Sequence, residues 1–128
     1  MRDIHSLGDI IDIVDAFYTG IEQDPDLGRF FDGVNLERHI TKVYAFWAAV
    51  VFQPASNHQP FEIRMSDDGL EPHHLEAWVR RLTDAIDSRF SGPNAQRMKS
   101  RAAQLAWVFG SRLENRADKT LAELADAV

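Results

Sequence analysis

Four rings with polar tips, Tyr18, His39, Trp47 and Trp78, fall on the apolar faces of three separate amphipathic segments. A tyrosine hydroxyl, an imidazole and an indole N–H each carry a hydrogen-bonding atom on a largely apolar body. Taken singly, each reads as a core residue whose polar atom finds one partner. Taken together, they point to an apolar cavity with a few convergent polar groups, the anatomy of a small-ligand pocket. The five histidines form no pattern for a metal site built from protein side chains alone. His73 and His74 are neighbours on a helix, so their side chains are expected to point about 100° apart. No H-x-x-x-H pair and no Asp/Glu-x-x-His repeat is present. There is no cysteine, hence no thiolate ligand and no thiol nucleophile. A G-x-S-x-G elbow and a glycine-rich phosphate loop are absent as well, and Asp67-Asp68 read as turn residues. The chain thus carries no catalytic constellation of its own.

Charge and hydropathy narrow the partners. The 128 residues include 14 Lys and Arg against 20 Asp and Glu, a formal charge of −6. Without a basic stripe, nucleic acid is not an expected partner. The longest apolar run, Val43 to Phe52, suits a buried helix and is too short to span a bilayer. The opening MRDIHSLGDIIDIVD places acids inside its apolar region, unlike a signal peptide, so a cytoplasmic protein is expected.

The elements that must position the rings follow from periodicity. Ser6 or Asp9 caps a helix from about Asp9 to Gln23, with Ile10, Val14, Phe17 and Ile21 on its inner stripe and Ile11 and Tyr18 on its shoulder. Asp24-Pro25 ends it. A short turn from Asp26 to Phe31 leads through a loop to Asn35, the expected cap of a helix from Leu36 to Phe52. Its stripe is Leu36, His39, Ile40, Val43, Phe46, Trp47 and Val50. A loop bracketed by Pro54 and Pro60 and one short helical turn near Phe61 to Met65 come next. Pro72 opens a third helix, running to about Phe90, with Leu75, Trp78, Val79, Leu82 and Ile86 inward. The last long helix spans about Ala95 to Asn115 with Met98, Ala102, Leu105, Phe109 and Leu113 inward; Trp107 falls off this stripe. No stretch alternates with period two. The expectation is one all-α domain over 1–116 and a tail, 117–128, that is helical in propensity and thin in apolar surface.

Three blocks in order then carry a resemblance. FYTGIEQDPDLGRFF is similar to F-Y-x-x-x-x-x-D-P-x-L-G-x-x-F of the truncated haemoglobins, closest to their third group. The spacing from His39 to Phe46-Trp47 matches, and GLEPHHLEAW resembles L-x-P-x-H-F-x-x-W. The likeness runs from about Asp9 to Leu113. It implies a two-over-two helical sandwich around a haem pocket. In that frame Tyr18 donates to an iron-bound ligand, His39 is the distal histidine with Val43 a turn beyond it, Trp78 completes the polar set, and Phe31 wedges the porphyrin.

The resemblance breaks at one residue. Where the family reads N/Q-P-x-x-x-H, with the histidine holding the iron, this chain has Gln59-Pro60-Phe61-Glu62-Ile63-Arg64. Arginine stays protonated and has no lone pair for a metal. Sliding the alignment rescues no histidine, because the spacing from Pro60 to Pro72 and Trp78 fits without a gap. His74 matches another family histidine, at the start of the next helix. Three outcomes remain open, one of them an unrelated role such as a structural interaction module that uses the C-terminal tail. Otherwise, either the pocket is haem-free and is collapsed or taken by an apolar molecule or a protein partner, or haem is held by burial and an atypical iron ligand. For the haem-bound outcome His39 is the leading ligand and Met65 the other, with Arg64 or Arg29 near the propionates. The partner would then be a diatomic gas, oxygen or nitric oxide, and any activity a redox or dioxygenase one. The oligomeric state is not legible.

Overall fold

The computed structural model describes the backbone of residues 1–31, 36–53 and 70–126, and side-chain surroundings within these except for Phe31, Leu36 and 112–126. The loop with Pro60, Arg64 and Met65 and the expected cap Asn35 lie outside the described residues. Among the described residues there are four α-helices: α1, Leu7–Glu22; α2, Leu36–Phe52; α3, Pro72–Asp87; and α4, Pro93–Asp126. A 3-10 turn, Gly28–Phe31, sits between α1 and α2. No strand occurs among the described residues, as the lack of period-two alternation predicts.

Helix starts are fixed by groups that replace the hydrogen bonds a first turn lacks. Ser6 Oγ accepts from the Asp9 N–H (3.3 Å), so Ser6 is the cap of α1 and Asp9 lies within it. Asp9 is buried and takes a bidentate ion pair from Arg2 at 2.6 and 2.7 Å, with further bonds from the His5 backbone and ring. Asp3 caps α4 from a distance in sequence, accepting from the N–H groups of Asn94 (2.9 Å) and Ala95 (3.0 Å). Those bonds outweigh the burial of Asp3 and hold its carboxyl below the usual range. Gly92, just before α4, has φ +145°, a region that L side chains rarely adopt, and a Cβ there would meet the Asp3 side chain at 2.5 Å.

Packing within layers joins α1 to α2 and α3 to α4; packing between layers joins α1 to α3 and α2 to α4. This is a two-over-two arrangement. The core at its centre is drawn from Ile10, Ile13, Val14, Phe17 and Ile21 of α1, Phe46, Trp47, Val50 and Val51 of α2, Trp78, Leu82 and Ile86 of α3, and Met98, Ala102 and Leu105 of α4. Most of these lie on the stripes expected from periodicity; Ile13 and Val51 are buried beside them, while the expected His39, Ile40, Val43, Val79 and Phe109 are half-buried. Ile4 and Phe90 close its ends. Arg97 of α4 reaches across to the Val51 carbonyl of α2 at 2.8 Å.

Three details differ from expectation. α3 stops at Asp87, because Ser88, Arg89 and Phe90 bond back to its last turns through their backbone N–H groups. α4 continues to Asp126 instead of ending near Asn115, so the segment expected as a separate tail prolongs the same helix. Phe52, at the end of the apolar run of α2, is exposed.

Candidate functional site

Tyr18 and Trp78 are brought together from different layers by a ring between them. Phe17 meets Tyr18 edge-on at 5.2 Å between centroids and meets Trp78 edge-on at 5.8 Å. Such T-shaped contacts place the positive edge of one ring on the negative face of the next. Trp78 is buried and Tyr18 is half-buried, its ring packed on the core. Burial pushes the Tyr18 hydroxyl up to about 12, so it remains a neutral O–H donor at any physiological pH. His39 lies in the opening turns of α2 and is half-buried. Val43, one turn on, is half-buried and packed on the core. Trp47 is part of the core itself, edge-on to Phe46 at 5.0 Å. The backbone of Phe31 ends the 3-10 turn. Its side chain, Arg64 and Met65 are outside the described surroundings.

One carboxylate holds the turn against this wall. Asp24 Oδ1 accepts from the N–H groups of Asp26 (2.8 Å) and Leu27 (3.1 Å), which folds the chain into the 3-10 turn after α1. Its Oδ2 takes Arg81 of α3 at 2.6 and 2.7 Å. Burial alone would raise the Asp24 pKa; the two backbone bonds and the Arg81 guanidinium outweigh it and hold the carboxyl below its ordinary value. Asp24-Pro25, legible in the sequence as a helix stop, is therefore also the clamp that fixes the turn to α3.

His73 and His74 do not diverge as adjacent helical positions suggest. Their ring centroids are 4.0 Å apart, because both rings turn back toward Glu71. His74 Nδ1 accepts the Glu71 N–H at 2.9 Å, while His73 Nδ1 lies 3.2 Å from the Glu71 carboxylate. Among the described residues no group of three or more His, Cys, Asp or Glu is disposed to hold a metal ion. Periodicity alone did not single out Phe17 as the ring that joins Tyr18 to Trp78, nor His74 as a buried group. The available signal for His74 was Glu71-Pro72 at a helix start, three residues before a side chain able to accept the cap N–H.

Trp107, off the inner stripe of α4, is 73% exposed. It borders an open groove of about 480 Å³ between α3 and α4, whose walls include Leu75, Val79, Ala103, Ala106 and Gly110. This groove involves none of Tyr18, His39 or Trp78.

Two layers of paired helices with a half-buried tyrosine, a bridging phenylalanine and a buried tryptophan in the seam define a globin-like domain. The chain belongs to the bacterial-like globin family, whose model matches residues 6–108. Its fold is similar to that of the group III truncated hemoglobin from Campylobacter jejuni, with a TM-score of 0.65 and 18% sequence identity, over 88% of this chain and 95% of that one. No curated protein matches the chain. Among the described residues no helix is long and apolar enough to cross a membrane.

Proposed function

We propose that this globin keeps the aromatic and polar wall of a ligand pocket but has lost ordinary proximal-histidine ligation. Haem is the group that its family implies. The distal side fits it: the Tyr18 hydroxyl is a neutral donor in apolar surroundings, Trp78 is beside it through Phe17, and His39 and Val43 share a face of α2. The opposite side does not fit, since Arg64 occupies the slot four residues after Pro60 where the family places the iron ligand. That substitution is the observation that carries the reading. Guanidinium donates hydrogen bonds only, and burying its charge without a partner is costly, so arginine cannot take the place of the iron ligand. The pocket is then haem-free, open to an apolar small molecule or a protein partner.

A second reading is favoured by the distal residues alone. Haem is retained by apolar burial with His39 as the iron ligand, or Met65 in its place, and the protein handles oxygen or nitric oxide. Neutral imidazole is the stronger of these two donors by the usual order of haem ligation.

Hemin titration of the protein and of Arg64→His separates the readings. A sharp Soret band with tight binding only in the variant supports loss of the proximal ligand as the sole defect. Tight binding by the unmodified protein, abolished in His39→Ala, supports the second reading. Tight binding that survives His39→Ala assigns the iron to another donor, Met65 first. Failure of both Arg64→His and the unmodified protein to bind means that the cavity has closed.

A further inference from the structure

The start of α3 is tied off by an imidazole in a role that a glutamate or glutamine side chain commonly fills. In a capping box, the side chain three residues into the helix reaches back to the backbone N–H of the cap residue. Here His74 Nδ1 takes the Glu71 N–H at 2.9 Å, and the His74 N–H donates to the Glu71 carbonyl at 3.0 Å. The acceptor role requires Nδ1 to be bare, so a neutral ring carries its proton on Nε2. The ring is 4% exposed and stands edge-on to Phe30 of the 3-10 turn at 4.8 Å between centroids. His74 thus joins the first turn of α3 to the turn that ends in Phe31, and Trp78 lies one helical turn further along the same buried face.

We propose that His74 is a positioning residue for the pocket wall: a neutral-imidazole latch between α3 and the Phe30 turn that opens when it gains a proton. The inference rests on the reading of that wall as a ligand pocket. A second proton, on Nδ1, turns the acceptor into a donor facing the Glu71 N–H, so the bond is lost and two N–H groups oppose each other. It also places a cation in the first turn of a helix, where the backbone dipoles are positive. The charged groups around the ring are mixed. Arg29 from the 3-10 turn and His73 beside it oppose a charge on His74, while Asp26 from the turn and Glu71 on its own element favour one. Burial, the largest influence, opposes the charge, and the net effect is a pKa below the ordinary histidine value.

The sign follows from that direction. Above the unfolded-state value of about 6.5 both states are neutral at this ring and the latch is fully closed. As pH falls below that value the unfolded chain takes the proton first, so the latch loses stability until the folded ring is protonated too. The pocket wall therefore loosens in acid, a response that an exposed histidine would not give.

Nitrogen-detected NMR of the histidine rings, with Trp78 indole and α3 amide signals followed from pH 8 to pH 4.5, tests this without any haem. The expected result is the Nε2–H tautomer of His74 at high pH and a midpoint for His74 below the ordinary histidine value. The Trp78 signal and an at least tenfold loss of amide protection, relative to the intrinsic exchange rate at each pH, at Glu71, His73, His74 and Leu75 should share that midpoint. His74→Gln, which keeps an acceptor but no titration, should stay folded with the Trp78 signal independent of pH over this range. His73→Gln should leave the Trp78 response in place. An Nδ1–H tautomer at high pH, or an unchanged Trp78 midpoint in His74→Gln, overturns the proposal. Failure of the pocket reading shows in the hemin titrations, which do not depend on this latch.

Discussion

The contact between Phe17 and Trp78 is the most local test of how the two layers are joined at the candidate site. Phe17→Leu keeps an apolar side chain but removes both edge-on contacts, to Tyr18 at 5.2 Å and to Trp78 at 5.8 Å. Each such pair is worth about 0.5–1.5 kcal/mol beyond area burial, so the two amount to about 1–3 kcal/mol. Phe17 is only 5% exposed, and the carbons lost add about 1 kcal/mol of transfer free energy. The expected loss is about 2–4 kcal/mol, which lowers the melting temperature by about 10 °C and leaves most domains of this size folded. Urea unfolding of Phe17→Leu, Trp78→Leu and the double variant isolates the Phe17–Trp78 term, with an expected coupling of about 0.5–1.5 kcal/mol. Coupling within about 0.3 kcal/mol of zero would refute the bridging role and leave Phe17 as mere filling. A Tyr18 near-ultraviolet signal unchanged in Phe17→Leu would refute the claim that this ring sets its surroundings.

Two further outcomes are expected. Gly92→Ala places a Cβ 2.5 Å from the Asp3 side chain and forces a residue into φ +145°, so it should destabilise by at least the ~1–3 kcal/mol typical of such backbone strain, read as a shifted urea midpoint at unchanged slope; an unaffected midpoint means that Asp3 does not cap α4 as described. Both tyrosines should titrate late: burial raises Tyr18 to about 12, and burial together with the hydrogen bond to Asp15 raises Tyr44 to about 12. Because the unfolded groups titrate near 10, these two contributions to stability are present below about pH 10 and are lost as pH rises toward 12. Tyrosinate absorbance that appears near pH 10 while the helical signal is intact would contradict this.

Much of this architecture is legible in the sequence because it rests on local rules. Helical stripes at 3.6-residue spacing locate Phe17, Trp47, Trp78 and Met98 in the core, and Pro72 marks the start of α3. What was not legible depends on side chains that reach beyond their own element. Asp3 looks like any acid of a charged N-terminus, yet its partners are the N–H groups of Asn94 and Ala95, some ninety residues later. Asp24 reads as a helix stop, and its clamp on Arg81 follows only once α1 and α3 lie side by side. The two adjacent histidines were expected to diverge, since periodicity fixes where a Cβ leaves the helix but not how a ring turns back to a free backbone N–H. Trp107 has no account in the sequence beyond falling off the inner stripe; the structure shows it exposed, at the edge of the groove between α3 and α4. For the candidate site, the sequence places Tyr18, His39 and Trp78 on their helices, while the ring that joins two of them emerges only from packing.

The same packing shows what holds the layers together among the described residues. α1 and α3 are joined by Phe17 on Trp78 and by Asp24 on Arg81, α2 and α4 by the Arg97 bond to the Val51 carbonyl, and α4 is capped from the N-terminus by Asp3. Phe17, edge-on to both Tyr18 and Trp78, joins their rings in the seam between layers. Selection for the seam alone would preserve these rings, so their presence is weak support for a bound haem and strong support for the fold. Residue 64 is where the resemblance places the iron ligand, so hemin affinity, rather than stability, is the measurement that Arg64→His should change.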